Sequence, residues 1–367
     1  MKGKWVLSVC AGLVSASLLL AGCSSGGNAS TPQVQTPEQS QATSQPTSQA
    51  MGSQGQKFTI GYDVYYLGNS WSVQMYQEFK SAAEKHPDQI ADVVYTQSDN
   101  QAEKQVSNIQ SMIAKKVDAI IMTPVSPSAA VPVIEQAKNA GIPVILLAAT
   151  ADTKDYTALV TVDDFQYGKT QAEWLAKRLN GKGNIYVLNG IAGIAVDSQR
   201  WQGAQSVFGQ YPDIHVVASQ YANWDEATAK TVVSNMLAAH PDVDGVWSQG
   251  GSMTLGAIEA FEAAGHSLVP MTGEDNNGLL KKWKQLRDSG NAQFDCIAVA
   301  KPTWLAEEAL NVTLDILGKK PYQKDSILPP PVITSDTLGQ YVRPDLPDSV
   351  WDNTHLTDQQ LKDLFAH

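Results

Sequence analysis

From Lys57 to about residue 317 the chain alternates two hydrophobic rhythms. Short runs rich in Val and Ile are followed by stretches of about 12–16 residues with apolar positions at helical spacing. Unbroken apolar strands alternating with amphipathic helices are the pattern of a parallel sheet covered on both faces. Strands are expected at 58–63, 92–96, 118–123, 143–148, 158–162, 184–189, 214–219, 244–248, 268–273 and 294–299. Helices are expected at 71–86, 101–115, 127–140, 165–180, 197–210, 225–239, 252–264, 277–289 and 302–317. Beyond that point the regularity fades. Leu328-Pro329-Pro330-Pro331 reads as an extended connector and Val332-Ile333 as a last short strand. Thr357-Asp358-Gln359-Gln360 matches a capping box ahead of a helix at 358–366.

The pattern repeats. Val117-Asp118-Ala119-Ile120-Ile121 leads through a helix to Gly141 and Pro143-Val144-Ile145, and Val243-Asp244-Gly245-Val246-Trp247 leads through a helix to Gly265 and Leu268-Val269-Pro270. Asp118 to Gly141 spans 23 residues and Asp244 to Gly265 spans 21. Both glycines stand where a helix ends in a left-handed residue. Two copies of one α/β plan imply two lobes with sheet edges facing a shared cleft.

The N-terminus has a different character. Lys2 and Lys4 precede an apolar run from Trp5 to Ala21, too short for a comfortable membrane span. It ends in Leu20-Ala21-Gly22-Cys23, which resembles a bacterial lipobox. Residues 1–22 are therefore expected to be a lipoprotein signal peptide and Cys23 the lipidated residue. Residues 23–56 carry repeated Ser, Thr, Gln, Pro and Gly, with little to bury. They read as a disordered tether with a reach of roughly 30 Å.

Composition narrows the chemistry. The formal charge is −11, and losing the leader with its two lysines leaves the body more acidic still. That argues against nucleic acid and against electrostatic docking on anionic lipid, so membrane contact is expected through the lipid anchor alone. With three cysteines, of which Cys10 lies in the leader, there is no disulfide framework, and no Cys/His cluster calls for a metal. No motif calls for a cofactor. Gly250-Gly251-Ser252-Met253-Thr254 lacks the last glycine of a nucleophile elbow. Glu274 and Asp275, adjacent at a strand end, point apart and make a poor acid/base pair. A carbohydrate hydrolase is accordingly disfavoured.

Aromatic and polar residues gather where strands should end. They form Tyr65-Tyr66-Leu67-Gly68-Asn69-Ser70-Trp71, Ala222-Asn223-Trp224-Asp225, Gln249-Gly250-Gly251-Ser252 and Glu274-Asp275-Asn276-Asn277. A sugar ring or polyol offers an apolar C–H face and a rim of hydroxyls. Flat aromatics meet the first, and carboxylates, amides or a guanidinium meet the second. Gly190-Ile191-Ala192-Gly193 joins a strand to a helix that brings Arg200, with five donors in a fixed fork, to the same edge. Asp225 also has a plain structural reading as a helix N-cap.

With Arg200 and Gly203 following that glycine loop, residues 57–340 resemble the sugar-binding proteins of ABC importers, the ribose/galactose-binding group of type I periplasmic binding proteins. Ala218-Ser219-Gln220 running into Trp224-Asp225, His240-Pro241-Asp242-Val243 and Met253-Thr254-Leu255-Gly256-Ala257 support the likeness. The resemblance implies an α/β fold with two Rossmann-like, doubly wound parallel-sheet lobes. Three crossovers near Asp163, Ala300 and Pro329 would join them as a hinge. The N-terminal lobe would take residues 57–163 and 301–328, the C-terminal lobe 164–300 and 329–340, and residues 341–367 would form a C-terminal extension. Asn69 and Trp71 would bind solute from the first lobe, and Arg200, Trp224 and Asp275 from the second. Tyr65, Asp163, Gly250 and Glu274 complete the candidate set, with Lys301 a further source of contacts. The Asp-Arg pair of the ribose-type pocket is replaced by Ala148-Ala149, an expected asparagine by Gly250, and an expected polar residue by Ala300. Another pentose, a hexose or a linear polyol is expected in place of ribose. The implied partners are that neutral solute and an ABC permease with its ATPase. A chemotaxis or two-component sensor is the alternative role.

Overall fold

The computed structural model describes residues 55–291 and 294–366. The expected leader, Cys23 and the tether as far as residue 54 lie outside them. Two six-stranded sheets organise the described chain. The first contains β1 (Phe58–Val64), β2 (Ile90–Gln97), β3 (Ala119–Met122), β4 (Val144–Leu147), β5 (Ala158–Val162) and β11 (Asp325–Leu328), in the order β11-β5-β4-β3-β1-β2. The second contains β6 (Lys182–Asn189), β7 (Asp213–Tyr221), β8 (Gly245–Ser248), β9 (Met271–Gly273), β10 (Cys296–Val299) and β12 (Val332–Ile333), in the order β12-β10-β9-β8-β6-β7. Every neighbouring pair is parallel except β10 with β12.

The helices associated with the first sheet are α1 (Ser70–Glu84), α2 (Ala102–Ala114), α3 (Val131–Asn139) and α9 (Leu305–Leu317). Those of the second are α4 (Asp164–Arg178), α5 (Ala195–Phe208), α6 (Glu226–Ala239), α7 (Gly251–Ala263) and α8 (Asn277–Asp288). A short α10 (Asp358–Leu364) closes the described chain. The central strands β3, β4, β8 and β10 are buried at every position, as unbroken apolar runs between two helical layers require. The edge strands β2 and β7 are largely exposed or half-buried.

The internal repeat has a physical content. Asp118 Oδ2 accepts from the Thr59 amide at 2.7 Å at the start of the first sheet, and Asp244 Oδ2 accepts from the Asn184 amide at 2.7 Å in the second. Each carboxylate ties the entry of one strand to its neighbour. Gly141 and Gly265 follow α3 and α7 with φ of +75° and +65°. The matching strand orders show the same plan laid down twice.

Three expectations shift. Strand β11 was not foreseen: Asp325-Ser326-Ile327-Leu328 has no strong apolar pattern and is an edge, extended by pairing with β5 far back in sequence. Strand β9 starts at Met271 rather than 268, because Pro270 has no N–H for the ladder. Helix α3 starts at Val131 rather than 127, with Pro132 in its first turn. The chain passes between sheets at Asp163, at residues 300–304 and at Pro329-Pro330-Pro331.

A Cβ at Gly141 or Gly265 would meet open space. Replacement by alanine therefore probes the backbone alone. Gly141→Ala and Gly265→Ala should each cost about 1 kcal/mol in urea unfolding, and the double variant about 2, since left-handed alanine is disfavoured by that much. An unchanged unfolding midpoint in both would contradict this.

Candidate functional site

The carboxyl ends of both sheets open on one shared cavity. Tyr65 and Asn69 reach it after β1, Thr123 after β3 and Ala148 after β4. Ile194, Val196 and Arg200 come from the loop and helix after β6, Trp224 follows β7 and Glu274 follows β9. Trp71 on α1, Lys301 on the second crossover and Trp351 near the C-terminus complete the lining.

Arg200 is set by two glycines. A Cβ on Gly168 of α4 would lie 1.8 Å from the Arg200 carbonyl oxygen, and one on Gly203 of α5 would lie 2.0 Å from that of Phe165. The two helices touch backbone to backbone there, which lays Arg200 over the start of α4. Its guanidinium carbon stands 3.6 Å from the Tyr167 ring centroid. Its Nε donates to Asp164 Oδ1 at 3.0 Å, Nη1 to the Gln249 carbonyl at 2.8 Å and Nη2 to Glu274 Oε1 at 3.4 Å. Lys301 Nζ donates to Asp164 Oδ2 and to the Ala148 carbonyl, both at 2.6 Å. The four charged side chains are only 2–4 % exposed. Burial pushes the Glu274 carboxyl up to about 8 against the pull of Arg200, and it lowers the Lys301 ammonium despite Asp164.

The aromatic walls are equally constrained. Trp224 has φ +53° after Asn223 at +55°, a strained pair for non-glycine residues. Its ring lies against Gly190 and Gly250, where a Cβ would come within 2.2 Å and 2.7 Å of it. Ala148, opposite, is also left-handed at φ +61°. Trp71 Nε1 donates to the Lys301 carbonyl at 2.7 Å, and the Tyr65 hydroxyl accepts from Ser72 Oγ at 2.9 Å. Asn69 caps α1 by accepting from the Ser72 amide at 2.9 Å. Two buried polar atoms of the lining, Trp224 Nε1 and Thr123 Oγ1, have no hydrogen-bond partner among the described residues.

Of the nine candidate ligand-binding residues, the structure brings Tyr65, Asn69, Trp71, Arg200, Trp224 and Glu274 together around the cavity. The other three stand elsewhere. Asp163 is exposed and caps α4 by accepting from the Gln166 amide. Its neighbour Asp164 is the carboxylate that meets Arg200 and Lys301. Gly250 makes room for Trp224 and precedes α7 instead of lining the cavity. Asp275 turns to the C-terminal segment, where its Oδ2 accepts from the Asn353 amide at 2.8 Å and from Asn353 Nδ2 at 2.7 Å. Thr123, Ile194, Val196 and Trp351 were not foreseen. The lipidation candidate Cys23 lies outside the described residues. No group of His, Cys, Asp or Glu among the described residues has a metal-binding arrangement.

Two largely parallel sheets of equal order, joined by three crossovers and sharing one cavity at their carboxyl ends, define a bilobal solute-binding protein. A family model of the periplasmic binding protein domain matches residues 60–321, and the chain belongs to that family. Its members are solute-binding proteins that act outside the cytoplasm. The xylitol-binding protein of Mycolicibacterium smegmatis is 36% identical over 185 residues, 50% of this chain and 53% of that protein, so the match spans about half of that relative's length. The galactofuranose-binding protein YtfQ of Escherichia coli is 31% identical over 295 residues, 76% of this chain and 87% of its own. An ABC transporter solute binding protein from Bacillus halodurans, solved with bound myo-inositol, superposes with a TM-score of 0.71 at 26% identity, covering 79% of this chain and 98% of that one. No helix among the described residues is long and apolar enough to cross a membrane.

The raised carboxyl of Glu274 makes the empty protein pH-sensitive. The fold holds a proton there that the unfolded chain, with its carboxyl near 4.5, gives up. That stabilisation is complete below pH 4.5 and is lost as pH rises through about 8. Asp197, pushed up by burial to about 6, and Asp352, pushed to about 7, act in the same sense, while Lys301 acts in the opposite one. Glu274→Gln should therefore shrink the fall in melting temperature between pH 5 and pH 8. An identical pH profile in wild type and variant would refute the assignment.

Proposed function

We propose that the protein is an extracytoplasmic receptor that closes two lobes on a small neutral carbohydrate, a monosaccharide or polyol, and delivers it to an ABC permease and its ATPase. One observation carries the reading. The cavity combines aromatic faces with a buried indole N–H and a buried hydroxyl that no group among the described residues satisfies. Such atoms cost free energy unless a partner arrives, and ligand hydroxyls are partners of the right kind.

The charges favour an uncharged solute. Arg200 and Lys301 are already paired with Asp164 and Glu274. A charged ligand would itself have to be desolvated beside groups that already bond to one another, a cost that a neutral solute avoids. Three of the five guanidinium N–H groups of Arg200 are taken up by protein acceptors, so its remaining donors can meet hydroxyl oxygens while the ion pairs hold it still. Ribose held by an Asp-Arg pair after β4 does not suit this lining, because Ala148 and Ala149 stand there and offer no polar side chain. The relatives bind xylitol and galactofuranose, and the similar structure holds myo-inositol, which keeps both cyclic and linear polyhydroxy compounds in view. Closure would bend the three crossovers, with contacts from both lobes stabilising the closed form. Lipidation at Cys23 and a tether to residue 56 would hold the receptor at the membrane without fixing its orientation.

The test is a thermal-shift screen of pentoses, hexoses, their deoxy forms and polyols. At least one should raise the melting temperature, and a response to amino acids alone would overturn the solute class. Thr123→Val should weaken binding of the selected solute about tenfold, about 1.4 kcal/mol, by calorimetry. The same change should leave the empty protein as stable or more so, because it removes an unsatisfied hydroxyl. Unaltered affinity would remove Thr123 from the site.

A further inference from the structure

Residues 343–361 are held by both lobes. On the second lobe, Val350 and Asp348 carbonyls accept from the Asn277 and Gly278 amides at 2.8 and 3.0 Å, and the Asn277 side chain donates to the Arg343 carbonyl at 2.9 Å. On the first lobe, Glu78 Oε1 accepts from Thr354 Oγ1 at 2.5 Å and from the His355 amide at 3.0 Å, and Gln360 donates to Ser81 Oγ at 3.0 Å. The switch falls at Trp351–Asn353. The Asp352 amide donates to the Asp275 carbonyl, while Gln74 of α1 exchanges two bonds with the Trp351 backbone at 3.0 and 2.9 Å. The Thr303 amide donates to the Asn353 carbonyl at 3.1 Å, which sets this passage beside the second crossover.

We propose that this segment is a fourth connection between the lobes and that Trp351, at its crossing point, is a solute-contacting residue that limits which sugar or polyol the cavity accepts. The inference rests on the carbohydrate-receptor reading above. The Trp351 ring lines the cavity, yet its indole N–H is already given to Ser70 Oγ at 2.9 Å. It can offer a solute only an apolar face, unlike Trp224, whose N–H has no partner among the described residues. A flat apolar wall accepts C–H groups and penalises a hydroxyl that would lose its water there. The same segment holds one oxygen of Asp275, since Asn353 makes two bonds to its Oδ2, and leaves Oδ1 without a partner among the described residues. One stretch of chain thus adds an aromatic wall to the cavity, and that wall acts on hydroxyl pattern and solute size.

The experiment is calorimetry of the full-length protein against the same panel, for wild type, Trp351→Ala and Trp351→Phe. Trp351→Ala should lose about tenfold in affinity for the preferred solute and change the order of preference towards larger or more hydroxylated members. Trp351→Phe keeps the backbone bonds to Gln74 and should shift the order in the same sense by a smaller factor; it carries the test if the alanine variant does not fold. A role in packing alone would lower the melting temperature and leave the order of preference intact, which overturns the proposal. If wild type binds no member of the panel, the carbohydrate reading itself fails and this inference falls with it. If wild type binds and both variants keep its affinities and order, only the role of Trp351 is refuted.

Discussion

The buried group Arg200, Asp164, Glu274 and Lys301 is the constraint to which the rest of the cavity is fitted. Four charged side chains removed from water gain little net stability from one another. Their consequence is geometric. Arg200 is pinned by an ion pair, a carbonyl and an aromatic face at once, so its position is fixed before any solute arrives. Lys301 extends the network to the Ala148 carbonyl on the other sheet. The network therefore reaches the first sheet through a hydrogen bond to a neutral carbonyl, while Arg200 and Lys301 share the Asp164 carboxylate. The raised Glu274 carboxyl is a sign of how dry this arrangement is.

Precision at the site comes as much from missing atoms as from present ones. Gly168 and Gly203 let α4 and α5 touch, and without that contact Arg200 would stand away from Asp164. Gly190 and Gly250 leave a slot that the Trp224 ring fills, in a backbone conformation that an unsupported tryptophan would not keep. The glycine loop after β6 thus serves two elements: its first residue seats an indole, and its amide is held by Asp197 at 2.7 Å.

Local pattern in the sequence carried the fold a long way. The strands and helices of both lobes follow from apolar runs and helical spacing, and the repeated Asp-to-Gly units foretold two sheets of one design. Arg200 and Trp224 were legible because a strand, a turn and a helix lie next to one another in the chain, which fixes where such residues emerge. Legibility ended where geometry depends on distant partners. Asp163 and Asp164 are both plausible at a crossover, and only the cap on α4 decides that the second faces inward. Strand β11 exists because β5 is there to pair with it. Trp351 meets Gln74 across 277 residues of sequence, and no periodicity marks that encounter. Asp275 was read from its strand-end position, and its engagement by Asn353 is a contact of the same long-range kind.

The C-terminal segment has a consequence for how such a receptor can diversify. Trp351 enters the cavity from a stretch of chain that follows the last strand of both sheets, so no ladder hydrogen bond depends on its identity. Changes elsewhere in the lining must respect a strand end, a helix cap or a buried charge. The Trp351 side chain carries none of them: its hydrogen bond among the described residues is the one from its indole N–H to Ser70 Oγ. The two sheets can stay unaltered while a substitution at this one terminal position recasts a wall of the chamber.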